Sequence, residues 1–204
     1  MDEEEKRQLQ EAMIAAHMER EASWVNAITT EIELYSTFFL HQYRLYKVVS
    51  HIPPVLLYLG FAPGLPVYDV TRKPAAFVAL ARADHVHLKT VEMAAHYGAV
   101  YLNVATPLSE GAMIVNSADA IPFLAGVDEK EQQQQQKIIE QYRATITPPT
   151  AQETGQGYRV SVYMVHMSGE RLLNLHILDV KPDGEVTNHS VTTLEKGLPI
   201  PYVV

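Results

Sequence analysis

The chain has 204 residues, 47% of them apolar and 20% charged, with 16 Lys and Arg against 24 Asp and Glu for a formal net charge of −8. This is the composition of a folded globular chain, and its acidic balance argues against nonspecific binding to nucleic acid or to an anionic membrane, both of which need a basic surface. The lack of cysteine excludes disulfides, a Cys-based zinc site and a thiol nucleophile, and it suits a reducing compartment.

The start, Met1-Asp2-Glu3-Glu4-Glu5, is acidic. A secretory signal begins basic, and a transit peptide is Arg-rich and poor in acids. From Met1 to Ile52 there is neither Gly nor Pro. Apolar residues recur there at steps of three, four or seven, through Met13, Ile14, Trp24, Ile28, Tyr35, Phe38, Leu45 and Val49. That spacing predicts an N-terminal helical segment over 1–51, as one helix or as two with a break near Ala22-Ser23. The acidic residues at its start would meet the positive end of the helix dipole. On such a helix Trp24, Tyr35, Phe38, Phe39, Tyr43 and Tyr46 form an aromatic stripe, the side-chain type enriched in interface cores.

The most apolar stretch, Ile52–Val70, is punctuated by Pro53, Pro54, Gly60, Pro63, Gly64 and Pro66 and falls within a connector over residues 52–73. A membrane helix needs about 20 continuous apolar residues, so this segment is expected to be a connector packed on the core. A soluble, cytoplasmic protein without membrane insertion is the expectation.

Pro74 opens an Ala-rich segment running to Tyr97, with Gly98 placed as a helix C-terminal residue. A helix is predicted, restarting at Asp84. Ala99–Ala105 and Ala112–Val115 then look like strands joined by a turn over 107–111. Asp128 is placed to cap a polar helix reaching Ala144, with Gln132–Gln136 on its solvated side. Thr147–Gly157, with two prolines and two glycines, is predicted to be a loop. The clearest signal follows: Tyr158–Met167, Arg171–Val180 and Val186–Leu194 are predicted as three antiparallel strands, with turns at Ser168-Gly169 and Pro182-Asp183-Gly184. The apolar tail from Leu198 is expected to dock.

These elements predict an α+β fold, with N-terminal helices on an antiparallel sheet of about five strands in the order α(α)-α-β-β-α-β-β-β. The α+β domain would occupy 74–204. The order resembles that of profilin-like modules such as the roadblock and GAF groups, and also that of cystatin-like cones of the nuclear-transport-factor-2 type. The resemblance implies only a layout, because fold does not fix function.

No phosphate loop, dinucleotide fingerprint, nucleophile elbow or HExxH motif occurs, so no cofactor is expected. The metal-like cluster is Asp84, His85, His87, Glu92 and His96. On a helix only Glu92 and His96, at i and i+4, could chelate together, and they would need a third ligand. No metal site is favoured. If 84–88 were extended, His85 and His87 would share a face.

A two-residue turn at Ser168-Gly169 places Met164 opposite Leu173 and Val162 opposite Leu175. That register gathers Arg159, Tyr163, Asn174 and His176 on the other face, as a polar group able to bind a small ligand. Arg159 would hold an anionic or carbonyl group, Tyr163 and Asn174 would orient it, and His176 would move a proton. The sequence favours a non-enzymatic interaction or ligand-binding module, assembling as a homodimer or with a protein partner. The alternative is a small-molecule hydrolase or isomerase using that polar group.

Overall fold

Asp2 sets the first helix. In the computed structural model, which describes residues 1–106, 111–126 and 128–202, its Oδ1 accepts from the Glu5 amide at 2.8 Å, and Glu3, Glu4 and Glu5 fill the first turn of α1, Glu3–Ala15. A capping carboxylate and an acidic first turn both stabilise a helix N-terminus. The chain breaks after Ala16, with His17 in the left-handed region at φ 59°, and resumes as α2, Glu19–Val25. The break therefore precedes Ala22-Ser23. Leu9 and Met13, one turn apart on α1, are fully buried with Ala22 and Val25 of α2.

Beyond Asn26 the helical expectation fails. Residues 30–61 are three strands: β1 (Thr30–Tyr35), β2 (Arg44–His51) and β3 (Pro54–Phe61). The absence of Gly and Pro permits a strand as readily as a helix, and Thr30, Ile32, Val48 and Val49 are β-branched residues that suit a pleated surface. The connector is corrected too. Its apolar run is β3, with Leu57, Tyr58, Leu59, Gly60 and Phe61 all buried, and Tyr68–Asp69 adds a short β4. A strand covered on both faces needs a continuous apolar run rather than an alternating one. Pro54 is tolerated as the first residue of its strand.

The four strands form an antiparallel sheet in sequential order. Tyr46, Val48, Leu57, Leu59 and Phe61 face α1 and α2. The opposite face at β3 meets α3 (Pro74–Ala83), where a Cβ on Gly60 would stand 2.5 Å from Leu80 Cδ2. Asp84 ends α3. Only 1% exposed, its carboxylate accepts from the backbone amides of His41 at 2.6 Å, Gln42 at 2.7 Å and Tyr43 at 2.8 Å. These elements belong to one compact unit, Met1–His87 with Val104–Thr106.

The second unit holds Leu88–Asn103 and the described residues from 111 onward. Thr90 caps α4 (Val91–Val100), its Oγ1 accepting from the Met93 amide at 3.2 Å. Gly98 lies inside this helix at a close approach to Val160, where a Cβ would stand 2.7 Å from Val160 Cγ1. The predicted strand Ala99–Ala105 is instead the end of α4 followed by a π-helical turn over Tyr101–Ala105. Most of the predicted 107–111 turn lies outside the described residues. Ala112–Ile114 is a strand, β5, and Asp128 caps α5 (Glu129–Tyr142) by accepting from the Glu131 amide at 2.9 Å. Gln132–Gln136 span a full turn of α5, all exposed except Gln135, whose Nε2 donates to the Leu124 carbonyl at 2.9 Å, and Ile138 and Tyr142 anchor the helix. Tyr142 Oη donates to the Leu194 carbonyl at 2.7 Å.

The segment expected as a loop carries β6 (Thr150–Thr154), which pairs with β7 (Gly157–His166). β8 (Leu172–Val180) and β9 (Val186–Lys196) complete a sheet ordered β5-β7-β8-β9, with β5 and β6 sharing one edge of β7. Tyr158 and Val160 stand on the α4 side. Val165, Leu173, Ile138, Tyr142, Leu198 and Ile200 form the core on the other side, so the described part of the tail docks as expected. The fold is α+β, with N-terminal helices and two antiparallel sheets of four and five strands rather than one.

Candidate functional site

The polar group expected on the β7–β8 hairpin is divided between two faces. Met164 opposes Asn174, Val162 opposes His176, Tyr163 opposes Leu175, and Arg159 opposes Asp179. This register lies one residue from the predicted one, because the connection is longer than two residues: His166 pairs with Leu172, and Gly169 sits within the turn at φ 63°. A one-residue slip moves every side chain of a strand to the other face. Asn174 and His176 are therefore buried on the Met164 side, 5% and 0% exposed. Tyr163 packs at the margin of the α5 core. Arg159 is exposed and donates from Nε to Asp179 Oδ1 at 2.9 Å. The Asp179 carboxylate also accepts from Asn188 Nδ2 at 3.1 Å, and these two donors hold it below its usual range.

Arg159, Asp179, Gln156, Lys181 and Thr187 line an open cavity of about 310 Å³ beside the β6–β7 turn. Its two cations are already paired, Arg159 with Asp179 and Lys181 with Glu185 at 2.9 Å. The cavity thus has hydrogen-bonding walls without an uncompensated positive charge for an anion.

His176 has different neighbours from those the sequence suggested. Its Nε2 meets His166 Nε2 at 3.3 Å, and its Nδ1 meets His189 Nε2 at 3.0 Å. The ring centroids are 5.5 and 5.3 Å apart. Each value is close to the nitrogen–nitrogen distance plus two ring radii, so the nitrogens point at one another along the line of centres. This is the geometry of hydrogen bonds, not of lone pairs converging on one ion. A neutral imidazole offers one N–H and one acceptor nitrogen, so the three rings form a consistent donor–acceptor chain in either direction. Burial pushes His166 and His189 below 6.5; burial, then repulsion from its two neighbours, takes His176 to about 3. His176 is therefore neutral at pH 7, with both ring nitrogens facing neighbouring histidines rather than an open cavity. The spacing 166, 176, 189 carries no motif. Only cross-strand register could have found the chain.

The weak metal pair gains no third ligand. Among the described residues no three His, Cys, Asp or Glu side chains are grouped to hold a metal ion. Residues 84–88 are not helical, and His85 and His87 are both exposed. The Glu92 carboxylate is held low by its own backbone amide and by Thr90, the signature of a helix start.

The aromatic stripe is dispersed because its helix does not exist. Phe39, Tyr43 and Tyr46 are at most 4% exposed, Trp24 packs against the α1–α2 core, Tyr35 stacks edge-on with Tyr58, and Phe38 is 57% exposed. Phe38 lies three residues beyond the end of β1, in the connection to β2. Strand β1 pairs only with β2 among the described residues. Leu34 on it is 61% exposed, Ile28 just before its start is 102% exposed, and Ile52 in the β2–β3 turn at the same end of the sheet is 72% exposed.

Among the described residues no helix is long and apolar enough to cross a membrane. Comparison with family models, with curated proteins and with solved structures found no match to this chain.

Proposed function

We propose that this chain is a non-catalytic interaction module that takes up an extended segment of a protein partner along the open side of β1. The observation that carries this function is the edge itself. Among the described residues β1 has a partner strand on one side only, and exposed Leu34 on it and exposed Phe38, Ile28 and Ile52 near its two ends supply apolar side chains. An unpaired strand edge is a row of backbone donors and acceptors that can bind another strand, and exposed apolar side chains beside it supply the contacts that fix the register. The hydrolase or isomerase alternative loses its support, because the β7–β8 register separates Arg159 and Tyr163 from Asn174 and His176.

The test is selection of short random peptides on the intact chain, with amide exchange measured on each complex. Bound peptides are expected to slow exchange within Thr30–Leu34. Peptides that protect other segments, or a selection that enriches none, would overturn the assignment.

A further inference from the structure

We infer that the segment β1 accepts is basic and amphipathic: an extended strand in which Lys or Arg alternates with Val, Ile or Leu. This rests on the strand addition proposed above. Side chains alternate between the faces of a strand, and pairing with β2 assigns them. Thr30, Ile32 and Leu34 stand on the face of Tyr46 and Val48, while Glu31 and Glu33 stand on the face of Lys47 and Val49. Ile32 packs at the margin of the α1–α2 core and Leu34 extends that row into solvent. Both glutamates are exposed. Each has one basic neighbour, on the β2 side: Glu33 Oε2 lies 3.9 Å from Lys47 Nζ and Glu31 Oε1 lies 3.3 Å from His51 Nε2.

A strand added to the other side of β1 would bring its directly opposed side chains to about 5 Å at Cβ. Opposite Ile32 and Leu34 an apolar side chain extends the existing core face. Opposite Glu31 and Glu33 a cation completes a row of alternating charge across the sheet. The pattern required of the partner therefore has a period of two, basic on one face and apolar on the other.

A second copy of this chain does not meet that requirement in the two registers that pair most of the strand. In a two-fold antiparallel pair, residues of the same face oppose one another. The register centred on Ile32 sets Glu31 against Glu33 twice, and the register centred on Glu33 sets that residue against itself. Directly opposed like charges are destabilising, and charged edge residues are a common block on self-pairing.

The test is fluorescence anisotropy of dye-labelled short peptides with the intact chain: one alternating Lys and Val, one Thr and Val, one Glu and Val. The Lys–Val peptide is expected to bind about tenfold tighter than the Thr–Val peptide and to weaken as salt rises. The double substitution Glu31→Lys, Glu33→Lys, with its fold checked by circular dichroism, is expected to reverse the order and favour the Glu–Val peptide. Equal binding of all three peptides would overturn the basic partner and leave strand addition standing. Binding of none would overturn both. A Lys–Val preference unchanged in the double variant would place the acidic site elsewhere and overturn the inference.

Discussion

Nδ1 of His176 and Nε2 of His189 meet at 3.0 Å, and with His166 on its other nitrogen His176 has both of its polar atoms committed while fully buried. Burial lowers the folded-state values of all three rings below 6.5, that of His176 to about 3. As pH falls the unfolded chain takes up protons first. The contribution is fully present above about pH 6.5 and is lost as pH falls toward 3. For His176 alone the slope below pH 6.5 is about 1.4 kcal/mol per pH unit; His166 and His189 add smaller amounts because they are less buried. Urea denaturation at about pH 7.5 and pH 5 is expected to show a loss of about 2 kcal/mol. His176→Leu is expected to flatten that difference. A wild-type stability that does not change over this interval would count against the neutral chain.

Asp84 replaces water for three backbone amides. Asp84→Ala is expected to cost about 3 kcal/mol or more, since a buried donor left unsatisfied costs about 1–3 kcal/mol. Asp84→Asn keeps one acceptor oxygen and should cost less. The comparison is by chemical denaturation. Amide exchange at His41, Gln42 and Tyr43 should accelerate in the alanine variant before global unfolding.

Gly60 and Leu80 are a size-matched pair. Gly60→Ala brings a methyl to 2.5 Å from Leu80 Cδ2. Leu80 is 1% exposed and has little room to turn aside, so the expected loss is about 1–3 kcal/mol. Leu80→Ala alone is expected to cost about 2–5 kcal/mol. The double variant should be more stable than the sum of the two losses, which a double-mutant cycle measures directly. Strict additivity would disprove the contact.

Gly98 sets helix propensity against packing. Alanine is favoured over glycine in a helix interior by about 1 kcal/mol. At this position its Cβ would meet Val160 Cγ1 at 2.7 Å and Leu178 Cδ1 at 3.2 Å. Gly98→Ala is expected to lower the melting temperature despite the propensity gain, and Val160→Ala in the same chain to recover part of it. A higher melting temperature in the single variant would mean that α4 stands off β7.

Tyr97 is fully buried, and its hydroxyl donates to the Gly184 carbonyl at 2.7 Å. Burial raises its ionisation well above the ordinary tyrosine value, so the hydroxyl remains a donor across the accessible pH range. Tyr97→Phe is expected to cost about 1 kcal/mol in a urea titration. An unchanged midpoint would show the carbonyl to be satisfied without it.

The sequence by itself determined the elements whose signals are local. Asp2 and Asp128 each start a helix, because a short carboxylate can reach the amide three residues on wherever the chain turns helical. The strands β7, β8 and β9 are legible because β-branched and apolar residues fill them and Gly169 and Gly184 end them. The tertiary structure decided what depends on a partner. Residues 44–61 have apolar side chains at spacings that fit either periodicity, and they are strands because β3 is covered by helices on both faces. In the β7–β8 hairpin the apolar row Leu173, Leu175 and Ile177 pointed to the register of a two-residue turn, whereas Leu178 and Val180 lie on the alternate face and suit the register one residue away. A connection longer than two residues chose the second, turned His176 inward to meet His166 and His189, and left Arg159 outside. One residue of register is worth little in the local sequence, yet it decides every side chain's face across the sheet. The open edge of β1 has the same origin. Glu31, Ile32, Glu33 and Leu34 alternate polar and apolar in the sequence, but only the sheet order decides that this strand lies at an end, with one side unpaired among the described residues.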